Sequence, residues 1–182
     1  MPTRTIGRNY TKITFQAVFV ICLMLAGMTT GGLAENLPQE SILPLTLAQK
    51  AAAAAIAKCE EGGYHVSVAI VDQGGNIRAL LRGDGAGPHT IDSSSRKAYT
   101  SASLKRSTQH LAELVAKVPT LHALGDMNDK ILILGGGLPI EFKGTVVGGI
   151  GVGGAPGAHL DEACATAGLL SIGASSPTNE TK

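Results

Sequence analysis

HVSVAIVDQGGNIRALLR, His65 to Arg82, is the stretch that sets the architecture. Its first run, HVSVAIVD, is β-branched and nearly continuous, the pattern of a strand buried on both faces. The second run, IRALLR, follows directly on Gly74-Gly75-Asn76, with Asp72 and Gln73 opening the turn. Two strand-like runs joined by glycines and an asparagine make a hairpin, because such turns need residues that accept positive φ. Hairpin strands are antiparallel, so this part of the sheet is not built from strand–helix–strand crossovers.

Working outward, Thr46 stands as a helix N-cap before LAQKAAAAAIAKCEE, and Gly62-Gly63 supplies the stop. The apolar positions of this helix are mostly alanine, which lets it lie close to what it covers. Downstream of the hairpin, GDGAGPHT is too polar and too glycine-rich for core and suits the rim of a ligand cleft. DSSSRKAYTSASLK then has helical spacing with Asp92 as its N-cap, and TQHLAELVAKV forms a second helix that stops at Pro119. Leu121 to Asp129 is irregular. Strands are expected at 130–134, 138–142 and 145–152, the last two joined by a tight turn at Lys143-Gly144. A final helix begins near Ala158 or His159, with Asp161 and Glu162 favourably placed in its first turn. The order α-β-β-α-α-β-β-β-α describes an α+β domain with a mainly antiparallel five-stranded sheet flanked by helices.

The 182 residues allow one domain plus a leader. MPTRTIGRNYTK carries Arg4, Arg8 and Lys12 and no acid, and an apolar run and the small residues Gly32 and Ala34 follow. That pattern describes a secretory signal peptide over 1–34, cut before Glu35. The apolar run is short against the roughly 20 residues of a membrane span, though an uncleaved anchor is the alternative. The expected division is then a lead-in at 35–45, one domain at 46–174 and a disordered tail at 175–182, with the protein exported to the periplasm or the exterior. The mature chain has 12 basic and 14 acidic residues, a formal charge of −2. It therefore lacks an electrostatic footprint for nucleic acid and a polybasic patch for stable membrane association. Cys59 and Cys164 survive cleavage. In an oxidising compartment an even pair admits a disulfide, but buried free thiols are the commoner state of such cysteines, and connectivity is not legible in sequence.

Gly149, Gly151 and Gly154 satisfy G-x-G-x-x-G, but no strand follows them and no acid stands at the spacing a dinucleotide site needs. Two uses for these glycines stay open: a close seat for a helix, or a flat wall for a planar ligand with backbone N–H groups exposed. Arg96 and Thr100 share a helix face, where Arg96 and Lys97 suit carboxylates; a solvated charged pair is the plainer alternative. No histidine pair has zinc spacing, and the serines lack a nucleophile elbow, so no catalytic constellation is evident. His89 and His159 are the histidines placed to face a pocket. Imidazole ligates haem iron, as does a tyrosine such as Tyr64 or Tyr99.

VAIVDQGGNIRALLRGDGAG, SSSRKAYTSAS and GGGLPIEFKGTVVGGIGVGGAPGAHLDEACATAG together resemble the GlcG/HbpS-like haem-binding family, which includes the C-terminal domain of PduO-type proteins. The resemblance spans about Thr46 to Ile172. It implies an antiparallel sheet flanked by helices, haem as cofactor and assembly into homo-oligomers. By motif position it assigns Asp84, Gly85 and Ala86 to a D-G-A loop, and Lys97 and Thr100 to a K-A-x-T helix segment. Gly136 and Gly137 fall in a glycine turn, and Asp161 is the acid of the last helix. Gly153 departs from the family's usual serine. The function expected is an exported haem-binding protein for sensing, storage or scavenging. The ring would lie between the Arg82–Thr90 loop, the Arg96–Thr100 helix and the glycine-rich strands. Arg96 and Lys97 would pair the propionates, and His89, Thr100 or His159 would approach the iron. The alternative is an enzyme or accessory factor for a small hydroxyacid or corrinoid, with Lys97 and Asp84 as its polar reagents.

Overall fold

The structure is a computed structural model and describes residues 40–176. The expected leader over 1–34, the start of the lead-in and the tail from 177 lie outside the described residues. Helix α1 spans Leu45–Glu61, and the hairpin follows as β1, Ser67–Asp72, and β2, Ile77–Arg82. Helices α2, His89–Leu104, and α3, Thr108–Lys117, come next, followed by a 3-10 helix at Pro119–Asp126. The second hairpin is β3, Gly137–Phe142, with β4, Thr145–Gly153, and α4, Ala158–Ser171, ends the domain.

The sheet has four strands in the order β2-β1-β4-β3, every neighbouring pair antiparallel. Strand β1 sits between β2 and β4 and is covered on both faces, which explains its unbroken apolar run. On one face, Val68, Ile70, Ile140, Ile150 and Val152 form the main core with the alanines of α1 and with Ala165 and Leu169 of α4. On the other face, Ala69 and Val71 meet Ala98 and Ala102 of α2.

The fifth strand, expected at 130–134, does not form. Its backbone groups bond to side chains of α2 instead of to a ladder: Arg96 Nη2 donates to Ile131 O at 2.7 Å, and Leu132 N donates to Thr100 Oγ1 at 2.9 Å. Two helix starts also move. Pro44, not Thr46, is the N-cap of α1, and Pro88, not Asp92, is that of α2. Thr90 N donates to Gly87 O, so α2 is already winding before the polar residues that were expected to begin it.

The glycines of β4 are a seat for α2. A Cβ on Gly151 would overlap Ser94 O and stand 2.5 Å from Ala98 N, and one on Gly149 would stand 2.7 Å from Ser101 Oγ. The helix backbone thus rests on the strand, and the space read as a possible flat ligand wall is filled by α2. Beneath the sheet, Cys59 of α1 and Cys164 of α4 form a disulfide with Cα atoms 5.5 Å apart, the less common of the two states that the sequence leaves open. The expected disordered tail begins in order: Ser175 exchanges two backbone hydrogen bonds with Glu141 and so covers the outer edge of β3.

Candidate ligand-binding site

Helix α2 divides by face. Ser94, Lys97, Ala98 and Ser101 turn inward and are buried. Asp92, Ser95, Arg96 and Tyr99, at i, i+3, i+4 and i+7, turn toward the β1–β2 hairpin and line a cavity of about 420 Å³ that is open to solvent on one side. Val71 and Ile77 give this cavity an apolar wall, and the exposed Lys130 also lines it. A β-bulge makes the wall. Ile70 pairs with Ala79 but Val71 pairs with Ile77, leaving Arg78 unpaired. The extra residue resets the alternation of β2 and brings Ile77 beside Val71.

Arg96 is held by one end only. Its Nη2 is taken by Ile131 O, Asp92 Oδ2 is 3.6 Å from Nη1, and its Nε is buried with no hydrogen-bond partner among the described residues. Tyr99 is fixed by its ring. A Cβ on Gly75 would stand 2.5 Å from the ring atoms Cδ2 and Cε2, so glycine at the turn is what lets the ring lie there. Lys130 Nζ is 5.2 Å from the ring centroid, within cation–π range.

Lys97 is not at a cleft. It is 2% exposed, and its Nζ donates to Asp161 Oδ2 at 2.7 Å and to Val152 O at 2.9 Å. Asp161 Oδ1 accepts from Ala155 N at 3.0 Å, so the pair ties α2 to the end of β4 and the start of α4. Burial pushes the Asp161 carboxyl above the usual carboxylate range, against the opposing pull of Lys97 and the hydrogen bonds from Lys97 and Ala155. Gly136, at φ 113°, makes room for this pair: a Cβ there would stand 3.0 Å from Lys97 Nζ and 2.6 Å from Asp161 Cβ. Gly137 is seated in the same way under Lys97 O and Thr108. Lys97, Asp161, Gly136 and Gly137 therefore form an internal clamp, and Lys97 is unavailable to pair propionates or to act as a reagent on a hydroxyacid.

Thr100 is also enclosed, because its Oγ1 donates to Arg96 O at 2.8 Å while accepting from Leu132 N. Reaching an iron would cost both bonds. In the Arg82–Thr90 loop, Arg82 donates through Nε and Nη2 to Ala86 O, bracing the loop from within. Ala86 is buried, Asp84 and Gly85 are exposed, and Gly85 lies against the His65 ring. His89 and His159 are exposed, folded over Gly87 and Gly157. None of these loop residues lines the hairpin cavity; of the residues singled out in the sequence, Arg96 and Tyr99 do. Lys130 carried no sequence signal, since it follows an irregular connection and belongs to no motif. A second cavity of about 420 Å³, between the lead-in and the β3–β4 turn, is lined by Leu47, Phe142 and Val147 with Lys143 as its one cation.

An antiparallel sheet carrying helices on both faces, with a half-open cavity that sets cations beside an apolar wall, defines a small α+β domain with a candidate ligand site. Residues 43–170 match the model of the family described as haem degrading protein HbpS-like, and the chain belongs to that family. Among solved structures, a double mutant of HbpS from Streptomyces reticuli is 47% identical, with a TM-score of 0.69 over 75% of this chain and 90% of that one. Protein GlcG of Escherichia coli K12 is 33% identical over 58% of this chain and 80% of its own length. The fold is also that of PduOC in its haem complex, at 23% identity and a TM-score of 0.70, covering 76% of this chain and all of that one. Among the described residues no helix is long and apolar enough to cross a membrane, and no cluster of three or more metal-ligating side chains occurs.

Proposed function

We propose that this chain is an exported haem-binding protein and that haem lies in the hairpin cavity. The observation that carries this is the charge pattern there: the Arg96 guanidinium and the exposed Lys130 ammonium flank an apolar wall of Val71 and Ile77, with one carboxylate, Asp92, 3.6 Å from Arg96 Nη1. A porphyrin edge needs an apolar surface, and its propionates need cations. The volume falls within the roughly 300–1,000 Å³ typical of small-molecule sites. Bound haem would supply its own redox and ligand-binding chemistry, while the chain's residues hold and orient it. Similarity to HbpS and to the PduOC haem complex supports the choice of ligand.

Export is supported by the Cys59–Cys164 disulfide, a bond that persists in oxidising compartments and is rare in the cytosol. Homo-oligomerisation is part of the proposal. Among the described residues strand β2 is an unpaired edge that exposes Ile77, Leu80 and Leu81, and a second copy of the chain would cover it. Sensing, storage and scavenging all require binding first.

The test is a haemin titration of the chain from Glu35, followed by absorbance, with Arg96→Gln and Lys130→Gln alongside. A saturating Soret band in the parent, with affinity lowered about tenfold in each variant, corresponds to about 1.4 kcal/mol per lost charged contact. A featureless titration of the parent refutes the haem assignment. Light scattering of the same sample reads the mass and tests the oligomer, and N-terminal sequencing of exported protein tests cleavage before Glu35.

A further inference from the structure

We infer that Tyr99 is the axial ligand of the bound ferric iron, an inference that rests on the proposed haem site. Nine residues line the hairpin cavity, and Tyr99 alone is of a type that commonly ligates haem iron, which is held by His, Cys, Met or Tyr. The other candidates from sequence are elsewhere: Thr100 has both roles of its hydroxyl engaged, and His89, His159 and Tyr64 lie outside the cavity lining. Tyr99 is preset for the task. Gly75 holds one side of its ring, and Lys130 approaches at 5.2 Å. Its phenol oxygen takes part in none of the hydrogen bonds formed within residues 40–176, so ligation breaks no existing contact.

The chemistry balances without a redox partner. A bond forms between the phenol oxygen and iron(III), the O–H bond breaks, and the proton passes to solvent. The phenolate and the two propionates bring negative charge, and Arg96 and Lys130 stand beside it as compensating cations. Asp92 lines the same cavity 3.6 Å from Arg96 Nη1, so two cations face one carboxylate and the balance there is positive before any ligand binds.

The experiment compares parent, Tyr99→Phe, Tyr99→His and Tyr64→Phe chains loaded with haemin, read by absorbance and by resonance Raman. The parent and Tyr64→Phe should show a phenolate-to-iron charge-transfer signature. Tyr99→Phe should lose it while still binding haem, about tenfold more weakly, and Tyr99→His should replace it with an imidazole signature. A purely structural role for Tyr99 would not produce that exchange. Haem bound by the parent without the phenolate signature, or a signature that survives Tyr99→Phe, overturns the ligand assignment and leaves the haem site standing. No Soret band in the parent overturns both. Should Tyr99→Phe fold poorly, Gly75→Ala is the second variant: it keeps the phenol but displaces the ring, and an unchanged spectrum there refutes the placement.

Discussion

Replacing Lys97 with Met should destabilise the domain by about 3–5 kcal/mol, the usual cost of leaving one member of a buried ion pair without its partner. The structure places this case at the severe end. Both side chains are enclosed, at 2% and 5% exposure, and Lys97 provides the 2.7 Å contact to Asp161 and the 2.9 Å bond to Val152 O. In the variant Asp161 keeps a single donor, Ala155 N, and Val152 O loses its side-chain donor. Against the roughly 5–15 kcal/mol that holds a domain together, such a loss is a large fraction. Its pH dependence follows from the direction of the Asp161 shift. Burial already raises this carboxyl in the folded state, and removing Lys97 removes the main opposing influence. An acid with a raised folded pKa binds more protons in the native than in the unfolded state, so stability falls as pH rises through that window. The deficit of Lys97→Met should therefore be full above the folded pKa and shrink on acidification. Urea unfolding under non-reducing conditions, at several pH values, measures it. Lys97→Met combined with Asp161→Leu should recover much of the loss, since apolar residues of similar volume often replace a buried pair without penalty. A single variant within about 1 kcal/mol of the parent at neutral pH, or a double variant no more stable than the single, refutes the clamp.

Three further outcomes are expected. Gly151→Ala should cost at least the roughly 1–3 kcal/mol of an overpacked core, because its Cβ meets the backbone of α2 at Ser94 and Ala98, where nothing flexible yields; thermal unfolding reads this. Reducing the Cys59–Cys164 bond, which spans a sequence separation of 105, should remove about 4–5 kcal/mol by releasing a long loop in the unfolded chain, and unfolding with and without reductant measures the difference. Glu162→Gln should flatten the pH dependence of stability above the ordinary glutamate range. Burial raises the Glu162 carboxyl, Ser107 lowers it and the Glu113 charge raises it, so the parent loses stability as pH rises through that window.

The hairpin, the two-faced burial of β1 and the Ala-rich helix were legible because each is a local pattern: continuous β-branching, a glycine turn and small residues at helical spacing. The strand expected at 130–134 failed for a nonlocal reason. KILIL has strand composition, but Arg96 and Thr100, more than thirty residues upstream, occupy its backbone groups. Arg96 serves both ends, lining the cavity while its Nη2 holds Ile131 O, so one residue's polar atoms cannot be allotted from helix spacing alone. Lys97 failed similarly. A lysine at the start of a polar helix has the composition of a solvated face, and only the carboxylate contributed by α4 makes its burial tolerable. Cys59 and Cys164 are on helices that pack against each other beneath the sheet, and that proximity has no sequence signature.

The clamp and the cavity are consequences of one packing event. Glycines in β4 let the backbone of α2 descend onto the strand, which carries Lys97 deep enough to reach Asp161 and Val152. A helix seated that low on β4 presents its outer stripe above β1 and the bulged end of β2, and there Arg96 and Tyr99 meet Val71 and Ile77. A residue with a side chain at Gly149 or Gly151 would raise the helix, strain the clamp and widen the cavity together. Gly149 and Gly151 of the G-x-G-x-x-G pattern are thus tied to the candidate cavity, though not as a phosphate loop: they set the height of the helix that carries the candidate binding residues. The two effects separate by experiment. If Gly151→Ala weakens haemin binding while Lys97→Met, with the larger loss of stability, does not, helix height rather than general loosening governs the cavity.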